Sequence, residues 1–137
     1  MYVAVFSDAD WAGDVDDRRS TSGYVVRIGL STVMWSTKKQ KTVSLSSAEA
    51  EYMALSSAVQ EVMWFRRFLC EMLNVSSMSV RVSMSVFVDN QAALHISKND
   101  VYHDRTKHID IRYHYVREAL KDGLLQLRCC GCPLINN

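Results

Sequence analysis

The stretch from Ser46 to Leu73 constrains this chain most. Tyr52, Leu55, Val59, Val62, Met63, Leu69 and Leu73 recur at helical spacing through it. Ser46 and Glu49 form an S-x-x-E capping box at its start. A helix this long must bury its apolar stripe, and the runs on either side read as strands. Tyr2 to Phe6 is a short apolar run rich in β-formers. Gly23 to Ile28 and Thr32 to Trp35 are separated only by Gly29, Leu30 and Ser31, which predicts an antiparallel hairpin. After the helix, Val80, Val82, Met84, Val86 and Val88 alternate with Arg81, Ser83, Ser85 and Phe87 in a period-two strand. Gln91 to Ser97 predicts a short helix. Ile109, Tyr113, Val116 and Leu120 mark another, stopped by Gly123, and Leu124 to Leu127 a last strand. A strand joined through a helix to a further strand implies a parallel pair with a right-handed crossover. The expected class is α/β: a mixed five-stranded sheet with flanking helices, three antiparallel strands and then a parallel crossover.

At 137 residues the chain fits one domain, and a hydrophobic content of 48% argues against disorder. The net charge of +1 neither demands nor excludes a nucleic-acid partner. Local charge says more: Lys38, Lys39 and Lys41 cluster in STKKQK, and Asp14, Asp16 and Asp17 in GDVDD. No apolar stretch reaches the ~18 residues of a membrane span, so no membrane partner is expected. MYVAVFSD lacks the basic start and cleavage site of a signal peptide. An intracellular setting is expected, with reduced cysteines.

Three acids stand where strands or the long helix turn to something else. They are Asp8 in VFSDADWAGD, Glu51 in SLSSAEAEYMALSSA and Asp89 in SVFVDNQAAL. If the first and fourth strands are parallel neighbours, Asp8 and Asp89 both lie at the carboxyl edge of the sheet, where open α/β sheets hold ligands. Ala54, Leu55, Ala58 and Val62 share the helix face of Glu51, which turns that carboxylate toward the sheet. Glu49 lies about 200° around the helix from Glu51 and is left to the cap. Three packed carboxylates repel unless a cation holds them. Hard oxygens suit Mg²⁺ or Mn²⁺, and such ions serve phosphodiester hydrolysis.

The segments SDADWAGDVDDRRSTSGYVV, WSTKKQKTVSLSSAEAEYMAL, VDNQAAL and HDRTKHIDIRYHYVREALKDG resemble the ribonuclease H domain of copia-type LTR-retrotransposon Pol polyproteins. The resemblance covers residues 1–128, expected as one ribonuclease H-like domain, and leaves residues 129–137 as a non-matching tail. It implies a five-stranded mixed sheet and metal-dependent hydrolysis of the RNA strand of an RNA–DNA hybrid. The implied cofactor is two Mg²⁺ ions, with Mn²⁺ as a substitute. It matches Asp8, Glu51 and Asp89 to catalytic metal ligands and Gln91 to a minor-groove contact. Implied partners are the hybrid and the reverse transcriptase domain of the same polyprotein, in cytoplasm, virus-like particle or nucleus. The family continues from its last strand into a helix with a fourth acid, in a pattern resembling ADxxTK. Here the sequence reads LLQLRCCGCPLINN. The departure suggests a C-terminal truncation or frame slip, impaired catalysis, or a remnant that binds hybrid or packs on a reverse transcriptase without cutting. Asp110 is a weak substitute for the missing ligand.

Other residues have two readings. Ser46 and Ser47 with the helix N-terminus are candidates to hold a phosphate. Lys38, Lys39 and Lys41 are candidate backbone contacts, as are Arg105, Lys107 and Arg112; solvated edges are the plainer alternative. His108 is a candidate proton shuttle, with His114 beside it, against a packing role. Asp10 is expected to serve a turn. Trp11, Trp35 and Trp64 are expected in core or flank packing rather than base stacking. Cys129, Cys130 and Cys132 form a C-C-x-C run that lacks the fourth ligand and spacing of a zinc site.

Overall fold

The computed structural model describes residues 1–74, 83–89, 91 and 107–130. Its elements are β1 (Tyr2–Asp10), β2 (Thr21–Ile28), β3 (Ser31–Lys39), α1 (Ser47–Met72), β4 (Ser83–Val88), α2 (Lys107–Lys121) and β5 (Gln126–Cys129). The sheet order is β3-β2-β1-β4-β5. β1 pairs antiparallel with β2 and β2 antiparallel with β3, while β1–β4 and β4–β5 are parallel. This is the mixed sheet expected from the order of strand and helix signals.

The hairpin is tighter than the sequence suggests. Ile28 pairs with Ser31, leaving a two-residue loop. Of its two residues only Gly29 has positive φ, +59°, which a type II′ turn requires at its first position. β3 runs on to Lys39, well past the apolar TVMW run. It is an edge strand, and backbone pairing with β2 holds its polar end where no apolar pattern marks it. β5 ends at Cys129, so the sheet includes the first residue of the expected tail.

α1 begins as its capping box predicts. Ser46 is the N-cap, and its hydroxyl accepts from the Glu49 amide at 3.2 Å. The Glu49 carboxylate reaches back to the Leu45 amide at 2.8 Å. α1 lays Tyr52, Leu55, Ala58, Val59 and Val62 against Val3 and Val5 of β1, Val26 of β2 and Val86 and Val88 of β4. Val116, Ala119 and Leu125 close the same core from α2 and the segment after it. Gly123, at φ +65°, ends α2: its amide bonds the Leu120 carbonyl and the Leu124 amide the Ala119 carbonyl, a Schellman cap.

Arg105, Asn90 and the Ala92–Ser97 part of the short helix lie outside the described residues, as does Cys132. So do the side chains of Lys107, His108 and Asp110. No helix among the described residues is long and apolar enough to cross a membrane.

Candidate metal centre

Asp8, Glu51 and Asp89 meet. Each offers a carboxylate oxygen, and these oxygens all lie within 4.8 Å of one another. They are the only such group of metal-ligating side chains among the described residues. Asp89 stands immediately after β4, as expected. Asp8 does not follow β1 but lies within it, paired with Gly23 of β2. The reason is that β1 outruns β4: their ladder stops at Phe6 and Phe87, while β2 keeps pairing as far as Asp10. Asp8 thus hangs just past the end of the parallel ladder, beside Asp89. Asp10 ends the strand, and its carboxylate folds over Gly13, where a Cβ would clash with Oδ2.

Glu51 enters from the second turn of α1 and is only 5% exposed, against the exposed Asp8 and Asp89. Ala54, Ala58 and Leu55, on its face, are 1%, 0% and 0% exposed, so the small residues do let the helix come close to the sheet. Glu51 Oε1 accepts from the Ala9 amide at 3.2 Å. Oε2 is buried and has no hydrogen-bond partner. Burial, then the charge of Asp89, raise the Glu51 carboxyl from 4.5 to about 7. An orphaned buried oxygen facing two further carboxylates is a donor set that a hard divalent cation completes. The residues therefore fit the ion that the site implies. Glu49 takes no part, because its carboxylate is held by the cap.

Other expected site residues are placed less simply. Gln91 is exposed and helical, two residues past Asp89. Ser46 accepts the Glu49 amide in the cap, which leaves its O–H free to donate. Lys39 is not a free cation: its Nζ pairs with Asp17 at 2.9 Å and Asp14 at 2.5 Å. Those bonds hold Asp14 down to about 2 and lower Asp17 as well. The GDVDD cluster is thus a clasp on β3, which no local pattern announces. Lys38 and Lys41 line a cleft with Arg112 from α2.

The tryptophans are not in the core. Trp11, Trp35 and Trp64 are 49%, 71% and 57% exposed. Trp11 follows the end of β1, with its indole N–H on the Ser44 carbonyl, and Trp64 stacks on Phe68. Trp35 stands on the open face of β3 and lines a cavity of about 580 Å³ with Asp8, Asp89 and Cys130. The thiol of Cys130 was not singled out from its neighbours in sequence. Only the β4–β5 register sets it beside Asp89, and burial with that carboxylate's charge pushes the thiol up.

This sheet order, three antiparallel strands followed by a parallel crossover, is that of the ribonuclease H fold. Solved structures agree. LC11 ribonuclease H1 in complex with an RNA/DNA hybrid matches with a TM-score of 0.61 over 93% of this chain and 84% of that one, at 13% identity. The prototype foamy virus protease-reverse transcriptase matches with a TM-score of 0.56 over 94% of this chain and 17% of that one, also at 13% identity. By sequence, the chain is 43% identical over 122 residues to the retrovirus-related Pol polyprotein from transposon TNT 1-94 of Nicotiana tabacum, covering 89% of this chain and 9% of the relative. It is 39% identical over 127 residues to that from transposon RE2 of Arabidopsis thaliana, covering 93% and 8%. No protein-family model matches. The chain is thus similar in sequence to a stretch of retrovirus-related Pol polyproteins of transposons, spanning less than a tenth of their length, and shares the fold of solved ribonucleases H.

Proposed function

We propose that residues 1–128 form a metal-dependent endonuclease domain that hydrolyses the RNA strand of RNA–DNA hybrids during retrotransposon reverse transcription. The observation that carries this reading is the convergence of Asp8, Glu51 and Asp89 within 4.8 Å, with a buried Glu51 oxygen lacking a partner. Asp8, Glu51 and Asp89 would hold Mg²⁺, or Mn²⁺ in its place, two ions being the full complement. When bound, the ions supply an activated water and stabilise the leaving oxygen. The chain's own part is to set three carboxylates on rigid elements and to dry one wall of the site with the core under α1. Gln91, Lys38 and Lys41 would meet the hybrid by its shape, phosphates and 2′-hydroxyls. Arg105, Lys107, Ser46 and Ser47 are further candidates for that surface, and His108 for proton shuttling. The natural partners are the hybrid and a reverse transcriptase domain, in an intracellular setting.

One observation favours a second reading. Among the described residues the cluster holds three acids and no fourth. A hybrid-binding or reverse-transcriptase-packing remnant, or a crippled nuclease, would have this composition. Cleavage of a labelled RNA–DNA hybrid by the 137-residue chain separates them, with Mg²⁺ and with Mn²⁺ beside an Asp89→Asn control. Cleavage that the control loses supports the nuclease. Hybrid bound but left intact under both ions supports the remnant.

A further inference from the structure

One row of paired residues crosses the sheet on the side away from α1. Trp35 of β3 pairs with Val25 of β2, Val25 with Phe6 of β1, and Phe6 with Phe87 of β4. Paired residues project to one face, and their chain neighbours Val26, Val5 and Val86 fill the core on the other. Trp35, Val25 and Phe6 are all exposed, and the Phe6 and Phe87 rings stack at 5.0 Å. The next row on this face, two residues along, runs Thr37, Gly23, Asp8. Gly23 leaves the middle of that row without a side chain. A Cβ there would meet nothing nearer than the Ser36 carbonyl oxygen, at 3.8 Å. The two rows floor the cavity of about 580 Å³, with Trp35 and Phe6 toward one end and Asp8 and Asp89 toward the other. Small-molecule sites run to ~300–1,000 Å³, so the space suits one small ligand.

We propose that this cavity holds one unpaired nucleotide, its base stacked on Trp35, its sugar over the bare backbone of Gly23 and its phosphate on a cation held by the acids. The two ends of the cavity choose the occupant. An exposed indole in a row with two stacked phenyl rings attracts a flat ring, and a carboxylate-held divalent cation attracts a phosphate. A nucleotide carries both, one sugar apart. A purely apolar partner would match the aromatic end alone and would desolvate Asp8 without compensation. Bases within a duplex already have both faces stacked, so the occupant is unpaired. Stacking is indifferent to which base it is, because every base has a π-face. The inference rests on reading the acid cluster as a cation site. It adds a place on the open sheet face for a nucleotide outside the duplex.

The test uses the 137-residue chain with Mg²⁺ and adenosine monophosphate as the probe, read by tryptophan fluorescence and calorimetry. Adenosine and ribose phosphate, each lacking one end, run beside it. Adenosine monophosphate is expected to quench fluorescence saturably and to bind more tightly than either fragment. Trp35→Ala should abolish the quench and weaken the nucleotide at least about fivefold, the low end of what one stacked base is worth. Trp35→Phe should recover part of that affinity. Trp64→Ala, which removes another exposed indole, from α1, should leave affinity unchanged. Gly23→Val should weaken the nucleotide and adenosine alike by filling the floor between Thr37 and Asp8. No quench, a quench that survives Trp35→Ala, normal binding by Gly23→Val, or ribose phosphate bound as tightly as the nucleotide overturns the proposal. So does a dimer in sedimentation that Trp35→Ala dissolves and the nucleotide does not, because a second copy then covers the face. If adenosine quenches through Trp35 while neither Mg²⁺ nor Asp89→Asn alters nucleotide binding, the cation reading falls and the base site stands.

Discussion

At Glu51 a single carboxyl ties stability to pH and to metal. Its value rises from 4.5 to about 7 on folding, so the folded state prefers the protonated form. The associated stability is fully present below the unfolded value and is lost as pH rises through the folded one. Without divalent ions, the denaturant midpoint should therefore fall between pH about 4.5 and about 7. Glu51→Gln should flatten that slope, and Mg²⁺ should offset it at the upper end by favouring the carboxylate. Denaturation across that range, with and without Mg²⁺, checks both; a wild-type midpoint that rises through it would contradict the argument. For catalysis, Asp8→Asn, Glu51→Gln or Asp89→Asn should each lower hybrid cleavage by more than the ~10–100-fold that outer-shell changes cost. Single-turnover rates on labelled hybrid measure this, with hybrid binding retained as the sign of an intact fold.

Among the elements, α1 was the most legible. The recurrence of Tyr52, Leu55, Val59 and Val62 and the Ser46 cap gave both its face and its start, because packing and capping act at fixed sequence spacing. Ser46→Ala should cost about 1 kcal/mol through the lost cap. Leu55→Ala, at a fully buried site, should cost about 2–5 kcal/mol through lost contacts and the cavity left behind. Urea midpoints of the two variants should rank in that order. β3 was legible only in part, because an edge strand needs no apolar alternation beyond Trp35. The Asp14–Lys39–Asp17 clasp and the approach of Cys130 to Asp89 were not legible. Each joins residues whose nearness is set by strand register rather than by any local pattern. Asp8 is legible as a candidate ligand but reads as lying after β1, since its polar neighbours Ser7 and Asp10 hide a strand that β2 continues.

Across the whole molecule, the site needs the sheet closed. Its acids come from β1, α1 and β4, and only the β1–β4 ladder brings the first and last together. A cation that binds the folded state alone adds stability by mass action, about 2.7 kcal/mol at a hundred times its dissociation constant. Mg²⁺ should thus raise the melting temperature of the wild type, and raise that of Asp89→Asn much less. Scanning calorimetry at several Mg²⁺ concentrations tests it; equal shifts in both proteins would place the ion elsewhere.

The spacing of those acids also orders events during synthesis. A growing chain that has released Asp8 and Glu51 still lacks Asp89, and the strand that carries it must slot in beside one made long before. Until then the ribosome-bound polypeptide holds two carboxylates, linked through the Ala9 amide, and lacks the third. On the proposed function it could then neither hold an ion nor act on the nucleic acid around it. The three-acid cluster is completed late, when β4 docks beside β1.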